Sequence, residues 1–504
     1  MSAGTPTPRS KRGARIALIR ARARINPLAL LALPVVALAY AYFAQASPLL
    51  GQSFGAVAIL TALATLCVAG VLVRPTTDRL ELFRVVSFYY LMAFCFAPLF
   101  EPAESLYVHE EPRAVLVQRS AALALFAYVC IAIGYHLPFY RRTPAVVMTR
   151  HDEYDAPFAT VVGLALFVIG TVSFVALFVL AGGAAVILRG EGGLARTEFS
   201  FGLGGYYWGS LLMLPGGAIY FAAQASRRRA LGWIHAWPLV SAFTLLLLLQ
   251  GRHRALGPLL VSLAISHYLL GRIRLPRLAV FALGAIALSI LMSSARSPSV
   301  RGVFAADPIR FSAAVLRDFP ERAETILSGD IGRIDEVMIV IDHVPDRMPY
   351  DLGWSLTIPF NPFRRLIWGV GSEAPAVGGR LYLIARPDMR GSLYRTGFLP
   401  SIVGEMRANF PAVLCVFPFL LYGMGLRAVY QRLVVKRADF LSIAGYAILG
   451  LFLCNMVIQT FAQNLFELFV VSAPVFVVRR LVRRGRRTVA SAEALGEALP
   501  TPRG

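Results

Sequence analysis

Charged side chains are scarce in this chain: 15% of its 504 residues are Asp, Glu, Lys or Arg, against ~25% in an average globular protein. With 57% hydrophobic residues beside it, that shortage excludes a disordered chain and argues against an ordinary soluble enzyme. Lysine is almost missing, at Lys11 and Lys436 only, so nearly every basic residue is arginine. Arginine as a type therefore carries no message, and only its position can. Acidic residues are few as well, 28 against 50 basic ones, for a formal net charge of +22. Such a surplus serves nucleic acid, lipid headgroups or membrane topology equally well until it is placed along the chain. Cysteine is limited to Cys67, Cys95, Cys130, Cys415 and Cys454, all inside apolar runs. No disulfide framework and no cysteine-based metal site follow from them. No internal repeat stands out, and residues 1–24 and 485–504 read as solvated arms.

Long apolar runs are what the chain has in abundance. A bilayer core of ~30 Å needs ~20 mostly apolar residues per helix. The pattern predicts twelve spans, at 28–46, 50–73, 83–100, 114–137, 157–181, 205–224, 232–250, 255–271, 276–294, 398–426, 440–459 and 462–478. Pro34, Gly70, Pro215 to Gly217 and Pro418 fall inside these runs. In a membrane, neighbouring helices can satisfy the backbone groups that such residues free. The expected fold is an all-α polytopic bundle. A basic arm (1–27) precedes nine spans (28–294), a large loop (295–397), three further spans (398–478) and a basic tail (479–504).

Orientation follows from the arginines between spans, since positive residues in short loops stay cytoplasmic. They gather in the N-terminal arm, in alternate loops (Arg74 and Arg79; Arg141, Arg142 and Arg150; Arg227 to Arg229; Arg272, Arg274 and Arg277; Arg432 and Arg437), and in the tail from Arg479 to Arg487. Both termini are thus expected in the cytoplasm and the large loop outside. Ala44-Gln45-Ala46 before Ser47 has the small-residue character of a cleavage site, yet the length of the run and the spans behind it predict a retained anchor. The charge surplus is then a topology signal, and nucleic acid is not an expected partner.

Three features depart from that pattern. Gln250-Gly251-Arg252-His253-Arg254 places basic side chains in an outer hairpin. Arg252 and Arg254 either snorkel to outer headgroups or hold a phosphate-bearing ligand. In the large loop, Arg364, Arg365, Arg380, Arg386, Arg390 and Arg395 face only Glu373 and Asp388. Its earlier part mixes charges with an apolar stretch, Val337 to Ile341, enough for a small subdomain that walls or covers a site. The start of the tenth span sets Ser401, Glu405 and Asn409 on one helical stripe at i, i+4, i+8 spacing. An ionisable residue in a span costs at least ~2.5 kcal/mol at the helix centre, which makes Glu405 a functional candidate; the structural alternative is that it pairs with Arg407 or a loop arginine.

These segments resemble the oligosaccharide repeat-unit polymerases of the O-antigen polymerase (Wzy) type, relatives of the O-antigen ligases. The resemblance covers mainly residues 245–426. It rests on a Gly-x-Arg turn after a leucine-rich span (Leu245 to Gln250, then Gly251-Arg252), on the large outer loop, and on Gly353-Trp354-Ser355 leading to Ile358-Pro359 and Arg364, Arg365 and Trp368. It rests too on Gly404-Glu405 with Asn409-Phe410. Pro411 stands where the family pattern tends to have glycine, and Pro362-Phe363-Arg364 replaces an expected Pro-Arg pair.

The resemblance implies a GT-C-like membrane glycosyltransferase. It would polymerise undecaprenyl-diphosphate-linked oligosaccharides on the outer face of a bacterial inner membrane. Donor and acceptor lipids, the bilayer, a chain-length regulator and a flippase would be its partners. Arg252, Arg254, Arg364, Arg365 and Arg395 would bind the diphosphate, since guanidinium groups supply bidentate bonds and charge to a leaving anion. Glu405, His253 or His343 would take the acceptor proton. Trp354, Asn409 and Ser401 would line the sugar site, with Tyr350, Trp368 and Tyr382 as further rings that either stack on sugar or anchor at the interface. Clustered acids are lacking in the short loop Ser47 to Leu50, and His109-Glu110-Glu111 stands alone, so no metal and no cofactor are expected. An O-antigen ligase, a transporter or flippase of lipid-linked glycan, and a nonenzymatic scaffold are the competing readings. The large loop counts against a transporter of quasi-symmetric halves.

Overall fold

The computed structural model describes residues 27–73, 78, 80–100, 109–137, 152–180, 206, 209–227, 238, 241, 261, 264–266, 310, 313–319, 332–361, 367, 377–385, 400–435 and 439–498. Among the described residues the structure is all-helical, without strands. The helices are α1 (Pro27–Ala46), α2 (Phe54–Leu72), α3 (Leu82–Tyr90), α4 (Arg113–His136), α5 (Asp152–Leu180), α6 (Met213–Arg227), α7 (Ile334–His343), α8 (Val377–Ala385), α9 (Ser401–Asn409), α10 (Val416–Tyr430), α11 (Phe440–Asn455) and α12 (Phe461–Ala498).

Among the described residues, four stretches are long and apolar enough to cross a membrane: Phe54–Leu72, Leu82–Phe100, Arg113–His136 and Ala156–Leu180. They coincide with the apolar runs expected at 50–73, 83–100, 114–137 and 157–181. Leu30–Ala46 and Phe440–Asn455 are apolar but shorter. The runs expected at 232–250, 255–271 and 276–294 lie outside the described residues apart from isolated positions.

Two expectations are corrected. The run 398–426 is not one helix: α9 ends at Asn409, and α10 begins at Val416 after a turn over Phe410–Cys415. Pro411 explains the break, because it lacks an N–H and its ring disfavours helical geometry in the residue before it; Phe410 is extended, at φ −136° and ψ 147°. The end of the chain differs as well, since α12 continues to Ala498 through the segment expected to be a solvated arm. Arg, Ala, Leu and Glu dominate that extension, and all are strong helix formers.

The chain divides into two units, one comprising residues 1–147, 312–432 and 452–466, the other 148–311, 433–451 and 467–504. In the first, α4 is central, packed against α2, α7 and α10. Glycine lets α4 and α10 touch backbone to backbone. A β-carbon on Gly134 would fall on the Leu420 carbonyl, and one on Gly423 would fall on the Ile131 carbonyl. In the second unit α5 and α6 pack the same way, through Gly163, Gly170 and Gly216. Small residues at helix crossings are how bundles gain van der Waals contact where lipid removes the hydrophobic drive.

The stretch Leu82–Phe100 loosens toward its end. After α3 the chain passes through a π-helical turn, Leu91–Phe96, and a 3-10 turn, Ala97–Phe100. Pro98 offers no N–H to the preceding turn, so carbonyls there are released. Each finds a donor elsewhere. The Tyr40 hydroxyl donates to Cys95 O (2.9 Å), the Ser47 hydroxyl to Pro98 O (3.3 Å), and the Arg333 N–H to Ala93 O (3.2 Å).

Overpacking the glycine crossing tests this account. Gly134→Val should cost about 1–3 kcal/mol, seen as a lower melting temperature in detergent. Gly425→Ala, where an added β-carbon meets nothing within 4 Å, should leave it unchanged or raise it slightly, since alanine is the better helix former.

Candidate functional site

Polar groups collect at the two ends of α4, a helix of 24 residues and hence about 36 Å long. At its C-terminal end the Tyr135 hydroxyl donates to Glu81 (2.6 Å), Arg427 lies over the Tyr135 ring at 5.2 Å, and the Tyr430 hydroxyl donates to Asp78 (2.7 Å). Toward its N-terminal end α7 of the large loop meets α4 and the loop before it. Among the described residues, loop segments to which the arginine pattern assigns one side thus meet each other, and so do segments assigned to the opposite side.

α7 brings the large loop to this second end. Its apolar residues Ile334, Val337, Met338, Ile339 and Val340 are fully buried, packed toward α4, α8 and α9. Asp335 and Glu336 occupy its first turn, where the helix dipole favours acid. Just before it, the buried Arg333 donates to Ile458 O (2.6 Å), Gly332 O (2.7 Å) and Glu336 Oε1 (2.7 Å). Burial nonetheless pushes the Glu336 carboxyl up to about 7, with the Arg333 charge opposing the shift.

The far end of α7 carries a second polar cluster. Asp342 accepts the backbone N–H groups of Glu110 (2.8 Å) and Glu111 (3.2 Å). Its carboxylate lies between two imidazoles, 3.4 Å from His109 Nδ1 and 3.9 Å from His343 Nδ1. His109 also reaches Asp335 at 4.0 Å, and Arg113 donates to the same carboxylate at 3.0 Å. Arg347 pairs with Glu110, and Arg119 with Glu111. Neither imidazole forms a hydrogen bond among the described residues. Burial lowers the pKa of His109, helped by Arg113 and opposed by the two aspartates. Among the described residues no group of three or more His, Cys, Asp or Glu could hold a metal ion.

α9 carries Ser401, Glu405 and Asn409, all fully buried, and each is engaged differently. Ser401 takes a left-handed backbone (φ 56°), and its hydroxyl accepts from Val403 N–H (3.2 Å) and Gly404 N–H (3.5 Å), closing the start of the helix. Glu405 Oε2 accepts the first two N–H groups of α12, Phe461 (2.5 Å) and Ala462 (3.3 Å); Oε1 has no partner among the described residues. Glu405 does not pair with Arg407, which instead donates to the Tyr350 hydroxyl (2.7 Å) and Val344 O (3.1 Å) and stacks on the Tyr350 ring.

Asn409 ties two distant segments together. Its Oδ1 accepts from Gly353 N–H (3.0 Å), its Nδ2 donates to Ser355 Oγ (2.8 Å) and Glu405 O (2.8 Å), and its carbonyl accepts Leu352 N–H (2.9 Å). Asp351 N–H adds a bond to Ala408 O (3.1 Å), and the Asp351 carboxylate pairs with Arg380. The Gly353-Trp354-Ser355 stretch and the Gly404 to Phe410 stretch therefore form one structural piece. Trp354 stands at its surface, 48% exposed.

Among the other expected residues, Arg252, His253, Arg254, Arg364, Arg365 and Arg395, together with Trp368, lie outside the described residues. The side chain of Tyr382 is likewise outside them. His109, Arg113, Arg333 and Asp342 belong to the site and were missed as members of it. The signals were faint: an Arg-x-x-Glu pair opening an apolar helix for Arg333, and a histidine in an acidic loop for His109. No protein-family model, no curated protein and no solved structure matches the chain.

Two tests follow from this geometry. Asn409→Ala strands Gly353 N–H and Ser355 Oγ in a buried place, at about 1–3 kcal/mol, so its melting temperature in detergent should fall further than that of Ser355→Ala. His109 has a folded pKa below its unfolded value near 6.5, so the unfolded chain binds more protons and stability drops as pH falls below about 6.5. Glu336 works the other way, losing stability as pH rises from about 4.5 towards about 7, but it is common to both chains compared. The melting-temperature gap between the native chain and His109→Gln, measured at neutral pH and again near pH 5.5, should move in favour of the variant on acidification.

Proposed function

We propose that this chain is a membrane glycosyltransferase of the oligosaccharide repeat-unit polymerase type. In this reading it is a GT-C-like bundle of about twelve spans in a bacterial inner membrane, with both termini in the cytoplasm and the large loop outside. The observation that carries the reading is the Asn409 junction: the two loop-and-helix segments on which the resemblance rests are hydrogen-bonded into one piece. Support for the sidedness comes from α4, at whose two ends the loops sort as the arginine pattern requires.

The reaction joins the acceptor sugar's hydroxyl oxygen to the anomeric carbon of the donor glycan. The bond from that carbon to the undecaprenyl diphosphate breaks, the diphosphate leaves with the electron pair, and the hydroxyl proton passes to a base. Glu405, His253 and His343 are the bases the reading allows. Arg252, Arg254, Arg364, Arg365 and Arg395 are the groups that would meet the charge growing on the diphosphate oxygens, without a metal. Ser401 and Asn409 spend their polar atoms on the protein itself, which suits residues that hold the wall of a sugar site.

Purified protein in detergent, supplied with a lipid-linked repeat unit, should build a ladder of products that survives EDTA. Arg252→Ala should cut the rate by about 100-fold or more, the usual loss on removing one transition-state donor, and Glu405→Ala should abolish the ladder. Unchanged ladders in both variants would sink the assignment. Transfer of glycan to lipid A-core alone would make the protein a ligase, and passage of the intact lipid-linked unit across vesicles would make it a transporter.

A further inference from the structure

We propose that the turn spanning Asp351 to Phe360 is a membrane anchor that inserts Leu352, Trp354 and Phe360 into the lipid leaflet beside α9. The proposal rests on the membrane-spanning part of the reading above and not on the chemistry.

The turn is built to display apolar side chains outward. Leu352 has a left-handed backbone, φ 48°, and is 73% exposed. A bulky residue in that region is a genuine outlier that persists only where the surroundings enforce it. The surroundings here are the hydrogen bonds from Asp351 N–H, Leu352 N–H and Gly353 N–H to the end of α9. In water, a strained conformation that exposes leucine beside tryptophan and phenylalanine gains nothing. Against lipid it gains the transfer of that apolar surface out of water.

The exposed surface is continuous with an exposed apolar face of α10. Phe410 packs against Gly353, 3.8 Å from where a β-carbon would stand. From Phe410 the chain runs through Val413 and Leu414 to Phe417 and Leu421 on α10, all exposed, while Phe419, Tyr422, Gly423 and Leu426 on the other face are buried. Phe417 and Leu421 fall at i, i+4 spacing on one face of α10, with Val413 exposed in the turn before it. Behind the tip lie the Arg380 pair with Asp351 and the Arg407 stack on Tyr350. A tryptophan at the tip with cationic and phenolic groups behind it is the order that a leaflet presents in reverse, from acyl chain to headgroup. The occupant of this surface is bilayer lipid.

Trp354 can report its own surroundings once Trp208, Trp233, Trp237 and Trp368 are replaced by Phe. The full-length protein, reconstituted in phosphatidylcholine vesicles brominated close to the glycerol end of the acyl chain, should lose more Trp354 emission than in vesicles brominated close to the chain terminus. Aqueous iodide should quench it little. Should the multiple replacement fail to fold, the difference between the native chain and Trp354→Phe gives the same signal. Quenching by iodide with no loss in either bromolipid overturns the proposal. A tryptophan-free chain carrying Leu66→Trp, on the exposed face of the spanning helix α2, separates the two failures. If position 66 is quenched by bromolipid and Trp354 is not, only the anchor falls; if neither is quenched, the spanning reading falls with it.

Discussion

A helix that stops inside an apolar surrounding leaves backbone groups that water cannot reach, and the first unit of this protein is organised around answering them. Three such ends are visible. The π-helical end of α3 releases carbonyls that are met by Tyr40, Ser47 and the backbone of Arg333. The start of α12 presents N–H groups that are met by the carboxylate of Glu405. The end of α9 is met by the backbone of residues 351–353 and closed by Asn409. In every case the partner comes from far along the chain, so each open end becomes a joint between segments.

Those joints explain why the large loop docks where it does. Arg333 enters twice: its backbone N–H fills a carbonyl opened by Pro98, and its side chain fills the Ile458 carbonyl at the turn before α12. A guanidinium so buried is tolerable only with its donors satisfied and an acid beside it, which Glu336 provides. The strong upward push on the Glu336 carboxyl is the other side of that bargain, because burial works against the charge the arginine needs. α7 is consequently fixed at both ends by polar groups, with Arg333 at its start and Asp342 near its close, and by apolar packing between.

The sequence was most legible where the physics is local. The long apolar runs announced α2, the α3 stretch, α4 and α5 within a few residues, since hydropathy over ~20 residues is the signal that a bilayer imposes. The break between α9 and α10 escaped because average hydropathy carries straight across Phe410 to Cys415, although Pro411 marked it. The α12 extension escaped because a run of arginines reads as a solvated arm, whereas helix propensity has no objection to it. Side-chain partners were the least readable. The stripe of Ser401, Glu405 and Asn409 was correct as a stripe, yet nothing in the spacing says that Glu405 caps a helix 56 residues further on or that Asp342 receives the backbone of Glu110 from 232 residues earlier. Sequence period records which face a residue takes, not what stands opposite it.

The arginines can be sorted by the same reasoning. A net charge of +22 is mostly a matter of which loops carry the surplus, and six of the described arginines in the large loop and the segments it meets already hold partners. Arg113 holds Asp335, Arg119 holds Glu111, Arg333 holds Glu336, Arg347 holds Glu110, Arg380 holds Asp351, and Arg407 holds Tyr350. A guanidinium already paired with a carboxylate has little charge to lend to a diphosphate, since the two anions compete for the same donors. In the proposed reading, counter-charge for a lipid diphosphate falls to arginines outside this set, among them Arg252, Arg254, Arg364, Arg365 and Arg395. The two groups differ in what they should control. Removing a buried partner such as Arg333 leaves an uncompensated acid and acts on folding, whereas removing a diphosphate ligand acts on turnover and leaves the bundle intact.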